Sequence, residues 1–281
     1  MSQTESLPQV ALRNPDATAN VYLNGAHVSS WVPKGQRDVL FMSAASHFAP
    51  GKAIRGGVPI IFPWFGGRDG YPQSPAHGFA RVMPWNVVSV ERRSDGASAL
   101  TLELLSSNMT REVWPYDFAL QFTIAAEKKL WMTLTVSNTG GEPFTFEEAL
   151  HTYLSVGDVR LASITGLGGA TFIDKVDGFK RKPQGPEPIV ITGETDRVYL
   201  NTQSEVVVHD PTWARSLTVA KMNSNATVLW NPWIAKSKAM ADFGDEEWPG
   251  MVCVETCNVA DHKITLEPGK SHAMTAIIGV K

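Results

Sequence analysis

Cysteine is almost missing from this chain: Cys253 and Cys257 are the two among 281 residues. If the run Met251-Val-Cys-Val-Glu-Thr-Cys257 is a strand, both thiols point to one face. At roughly 3.3 Å per residue their Cα atoms then lie about 13 Å apart. A disulfide needs a Cα separation under about 7 Å, so the two do not pair with each other. Further ligands at close spacing are lacking, which argues against a zinc site and leaves two free, semi-buried thiols. A basic excess is missing too. Lys and Arg number 25 against 28 Asp and Glu, for a formal net charge of −3, which argues against a nucleic-acid partner. No run approaches 18 apolar residues, so no transmembrane helix or membrane partner is expected. The first twenty residues hold no basic segment followed by an apolar one. A secretory signal is therefore not expected, and the cytoplasm is the default compartment. Asn108-Met-Thr110 and Asn225-Ala-Thr227 are accordingly read as chance matches to the glycosylation pattern.

What is there points to strands. Hydrophobic residues make up 43% and charged residues 19%, enough for a sizeable core. Residues 117–126 and 129–138 are β-rich runs around a short Glu-Lys turn and read as a hairpin. Similar runs lie near 19–32, 84–92, 98–106, 144–156, 204–209, 215–221, 226–231, 251–258 and 270–280. Eighteen prolines and 23 glycines supply turns and leave few helices. The best helix candidate is 232–241, with Pro232 at a plausible first position. Many short strands without alternating helices imply an all-β sandwich or barrel. Residues 1–281 are expected to form a single domain with 1–18 peripheral. Residues 178–193, with three basic residues and three prolines, read as an exposed loop within it.

Several positions could carry chemistry. Arg55 leads Gly56 and Gly57, which permit close backbone approach, but no Gly-Lys-Ser/Thr follows and the run is not a P-loop. Pro59 and Pro63 bracket Ile60, Ile61 and Phe62, which argues for an edge or crossing segment. His77 and Arg81 share a glycine-containing loop. Should Arg81 lie near Arg55, the two guanidinium groups would need an anion between them, and phosphate fits that geometry. In the run from Phe144 to Leu154, alternation places His151 on a face with Glu147, Ala149 and Tyr153. Glu255 stands mid-strand between Cys253 and Cys257, where a carboxylate is costly unless it has a task or an ion-pair partner. Asp196 precedes a strand and by itself reads as turn chemistry. Nine tryptophans, with Trp230 and Trp233 in one stretch, suit sugar rings as well as a core. Lys236 and Lys238 could face an anion or water.

Taken in order, Arg-Gly-Gly-Val-Pro-Ile-Ile-Phe-Pro, His-Gly-Phe-Ala-Arg, the His151 strand, Glu-Thr-Asp-Arg-Val-Tyr, Trp-Asn-Pro-Trp and Val-Glu-Thr-Cys-Asn resemble the hexose-6-phosphate mutarotase branch of the aldose 1-epimerase superfamily. The resemblance runs from about residue 20 to the C-terminus. It implies a galactose-mutarotase-like antiparallel β-supersandwich with few short helices and no cofactor. It implies that His151 and Glu255 are catalytic, that Asp196 and His77 contact the sugar, and that Arg55 and Arg81 hold a phosphate. Ala76 departs from the pattern, because some members carry Gln there.

Anomer exchange requires ring opening. One group takes the proton of the C1 hydroxyl, another protonates the ring oxygen, and the aldehyde turns before reclosing. Unperturbed Glu titrates near 4.3 and His near 6.5, so Glu255 is expected to be the base and His151 the acid. Neighbouring negative charge is expected to raise the His151 pKa. The substrate expected is a hexose 6-phosphate, and a monomer is the default. Three other readings stay open: a mutarotase of unphosphorylated aldoses, a non-catalytic carbohydrate-binding protein, and a glycoside hydrolase using Asp196 and Glu255.

Overall fold

A computed structural model describes residues 7–92 and 98–281. Among these residues the architecture is an antiparallel β-sandwich of two large sheets with a small three-stranded sheet beside them. The nine-stranded sheet runs in the order Ile189–Val190, Ser163–Thr165, Val206–Asp210, Arg215–Met222, Ser271–Val280, Leu130–Asn138, Phe118–Ala126, Ser98–Leu105 and Asn86–Arg92. The expected hairpin forms its sixth and seventh strands, with Phe118 opposite Asn138 and Ala126 opposite Leu130. Its alternation is plain: Phe118, Leu120, Phe122 and Ile124 are buried, as are Leu130, Met132, Leu134 and Val136. Period-two burial of this kind assigns one face of each strand to the core.

The eight-stranded sheet carries the candidate site. It runs Lys180–Pro183, Thr171–Asp174, Thr195–Leu200, Ala226–Asn231, Met251–Asn258, Glu148–Leu150 and Ile60–Ile61, with Tyr153–Ser155 also paired to Met251–Asn258. Every residue of Met251–Asn258 is buried. Ile60–Ile61, between its two prolines, is a two-residue strand at the sheet's edge. Residues from both sheets join one hydrophobic cluster that extends from Leu12 to Ile278.

Three local expectations change. Residues 178–193 include strands at Lys180–Pro183 and Ile189–Val190 rather than loop alone. Each is an outer strand of its sheet, where lysines discourage further pairing and a proline needs no ladder partner on its free side. Of the segment 1–18, residues 1–6 lie outside the described residues, while Leu12 and Ala17 are buried in the core. The thiols of Cys253 and Cys257 are free but fully buried, not semi-buried. The helix after Pro232 is Trp233–Ala239, with Pro232 at its N-cap. A second, Asn108–Val113, begins with a capping box between Ser107 and Thr110.

Candidate active site

The site begins with an interruption in a strand ladder. Leu150 lies opposite Thr256 and Tyr153 opposite Cys253, so the same register carried across the gap sets His151 opposite Glu255. In the gap the His151 N–H donates instead to the Pro59 carbonyl at 3.0 Å. The Thr152 carbonyl accepts from the Val254 N–H at 3.1 Å. Backbone satisfaction is thus kept while the two side chains meet. Nε2 of His151 lies 3.2 Å from Oε1 of Glu255. His151 is 7% exposed and Glu255 1%.

This pair lines a cavity of about 270 Å³. Arg55, His77, Arg81 and Asp196 line it as well, so all six residues singled out in the sequence converge on one space. Ala76 is in its wall, and its carbonyl accepts from Nη2 of Arg81 at 2.7 Å. Lys236 lines the cavity and pairs with Glu194 at 3.4 Å. Lys238 is not among the lining residues and pairs with Glu246 at 3.8 Å.

His77 is set by its loop. It has φ +63°, and its N–H donates to the Gly66 carbonyl at 2.6 Å. Its Nδ1 accepts from the Gly66 N–H at 3.3 Å. The ring stands edge-on to Phe65 and to His151, with centroid distances of 4.8 Å and 5.9 Å. Asp196 sits second in Thr195–Leu200 and pairs with Lys175 at 2.8 Å. The Lys175 ammonium also lies 5.1 Å from the Phe65 ring centroid, a cation–π contact.

The electrostatics correct one expectation. Burial pushes His151 well below its ordinary value, and His77, Arg81 and Arg55 add to that. The negative neighbours do not raise it. Burial also pushes Glu255 well above the carboxylate range, with Asp196 adding and Lys175 and Arg81 opposing. Each group is therefore driven toward its neutral form, and a single proton can pass between two atoms already in contact. Oε2 of Glu255 and Nδ1 of His151 are buried without hydrogen-bond partners.

Four residues went unread or without a role in the sequence, Lys175 and Phe65 in the cavity wall and Tyr153 and Asp242 behind it in contact with Arg55. Lys175 lies in Asp-Lys-Val-Asp177, which looks like any charged hairpin turn. Phe65 follows Trp64 in an apolar run. Tyr153 shares a face with His151 by alternation, a usable signal. Asp242, between Ala241 and Phe243, has none, yet it grips Arg55 at 3.1 Å. Among the described residues, no group of three or more His, Cys, Asp and Glu side chains could hold a metal ion.

A family model described as aldose 1-epimerase matches residues 8–279. A protein of Escherichia coli (strain K12) named "Putative glucose-6-phosphate 1-epimerase" is 38% identical over 266 residues, covering 94% of this chain and 87% of its own. One of the same name from Cenchrus ciliaris is 34% identical over 273 residues, covering 94% and 82%. The crystal structure of "a putative mutarotase (YeaD)" from Salmonella typhimurium superposes with a TM-score of 0.91 at 36% identity, covering 99% of this chain and 92% of that one. A galactose mutarotase-like protein from Clostridium acetobutylicum matches with a TM-score of 0.74 at 12% identity, a likeness of fold alone.

Proposed function

The chain belongs to the aldose 1-epimerase family, and we propose that it interconverts the α and β anomers of hexose 6-phosphates, chiefly glucose 6-phosphate, with Glu255 and His151 as its acid–base pair. The observation that carries this is the buried contact between the two side chains, 3.2 Å apart in a cavity also lined by Arg55, Arg81 and Lys236. The names of the relatives point to the same substrate.

Glu255 accepts the proton of the C1 hydroxyl while His151 gives one to the ring oxygen. The C1–O5 bond breaks and the aldehyde forms. It then turns about C1–C2, and O5 attacks its other face as both protons return. No electrons leave the sugar, and no bond to another group is cut. While the ring is open, Glu255 is protonated and His151 neutral. That is the arrangement burial favours, so the site suits the open-chain intermediate. The ring-closed start needs a charged pair, and here the phosphate acts. Its negative charge offsets Arg81 and Arg55, two of the influences that hold His151 down. The remote anion also fixes the sugar while C1 turns over. Asp196 and His77 line the same cavity and are the groups that would meet sugar hydroxyls.

The test is anomer exchange of glucose 6-phosphate followed by exchange NMR. Glu255→Gln and His151→Ala should each lose the rate by about 100-fold or more while remaining folded. Near-wild-type exchange in Glu255→Gln would overturn the assignment. Equal efficiency on glucose and glucose 6-phosphate would replace the phosphate reading with that of a general aldose mutarotase.

A further inference from the structure

His151 lacks what ordinarily holds a working imidazole in place. A histidine that moves protons is usually oriented by a hydrogen bond at its second ring nitrogen. Here Nε2 meets Glu255, and Nδ1 is buried with no partner. Stacking takes over. The ring lies nearly parallel to that of Tyr153, with centroids 4.8 Å apart and 14° between planes. Trp230 stands edge-on to both, 5.9 Å from His151 and 5.8 Å from Tyr153. Tyr153 is itself tethered. Its hydroxyl accepts from Nη1 of Arg55 at 3.0 Å. Nη2 of Arg55 donates to both oxygens of Asp242 at 3.1 Å. Burial pushes the Tyr153 phenol up to about 12, so it stays neutral.

Arg81 is in the opposite situation. Arg55, Lys175 and Lys236 each have a carboxylate partner. Among the described residues Arg81 has none: Nη2 meets the Ala76 carbonyl, and Nε is buried and unpartnered. Burial and the nearby Arg55 push it down to about 10. An unmatched cation in a cavity wall is costly until an anion completes it.

The geometry points to a division of labour between the two arginines: Asp242, Arg55 and Tyr153 form a brace that positions the His151 ring, and Arg81 is the arginine that takes the anion. This rests on the catalytic reading of His151 and narrows the role of Arg55. Arg55 is already matched by Asp242, so a phosphate gains little there and much at Arg81. Losing the brace frees a ring that nothing else hydrogen-bonds at Nδ1.

The experiment compares Asp242→Asn, Tyr153→Phe and Arg81→Ala with the wild type, using exchange kinetics on glucose 6-phosphate. It adds NMR of the imidazole nitrogens in free protein and titration with inorganic phosphate. Asp242→Asn and Tyr153→Phe should lower kcat about 10- to 100-fold with KM within about threefold. They should move the His151 resonances and should not weaken phosphate binding, which Asp242→Asn can only strengthen by leaving Arg55 unmatched. Arg81→Ala should raise KM and weaken phosphate binding by about 30-fold or more. Arg55→Lys keeps the charge but loses the fork, and should behave like Asp242→Asn. The brace is refuted if the Asp242 and Tyr153 variants raise KM alone, or leave the His151 resonances unmoved. If the wild type exchanges no anomers, the proposed activity fails, while the imidazole spectra and phosphate titrations still decide the brace.

Discussion

At Gly78 the backbone has φ +72°, and a Cβ there would lie 1.9 Å from the Phe62 carbonyl oxygen. Neither a rotamer change nor a small side-chain shift relieves a clash with backbone. Gly78→Ala should therefore cost about 1–3 kcal/mol in urea denaturation, and it should slow exchange by displacing His77 next to it. The thiols give a second residue-scale prediction. Burial pushes Cys253 well above the ordinary thiol range and raises Cys257 too. Native protein should show almost no reaction with a thiol reagent at neutral pH, and two equivalents once unfolded. One fast-reacting thiol in native protein would contradict the packing. At this scale, the sequence spoke only where a residue was out of place in its run. Glu255 mid-strand was such a residue. Asp242 was not, because an aspartate in a polar stretch is unremarkable until its partner is known.

Among the elements, a buried polar contact clasps strands of the two sheets. Nε2 of His272, on Ser271–Val280, lies 3.0 Å from Oε1 of the fully buried Glu148, on Glu148–Leu150. Nδ2 of Asn258, ending Met251–Asn258, donates to the same oxygen at 2.8 Å. The hydrogen bond to Glu148 raises the His272 pKa against partial burial. The folded pKa thus exceeds the unfolded value of about 6.5. The stabilisation is complete below that value and is lost as pH rises through the folded pKa. A hydrogen bond to a charged partner contributes about 1.5–3 kcal/mol, so Tm should fall by about 3 °C or more across this range. His272→Ala should flatten that limb of the Tm profile; an unchanged limb would remove the clasp as its cause. The clasp was not legible from the strand pattern. Periodicity identifies each strand and its buried face, but not which strands of opposing sheets abut. The same limit hid the strand Lys180–Pro183, whose basic and proline-rich run is equally good loop material.

For the whole molecule, one hydrophobic cluster extends from Leu12 to Ile278 and includes residues of both large sheets. We expect a single cooperative calorimetric transition; two resolved transitions would mean that the sheets unfold separately. No helix among the described residues is long and apolar enough to cross a membrane. The sequence by itself determined the strand-dominated composition, the hairpin and the free cysteines, and its resemblance to a family singled out six of the residues that line the cavity. The first three follow from local alternation, from composition and from spacing; of the six, Glu255 was also marked by being costly without a task. Only the tertiary structure decided that His151 and Glu255 touch, that both are driven toward neutrality, and that Arg55 is matched by Asp242 while Arg81 is not. Charge matching and desolvation depend on neighbours 98 residues away, as at Arg55 and Tyr153, or 187, as at Arg55 and Asp242. No pattern along the chain encodes which distant side chains share a low-dielectric space.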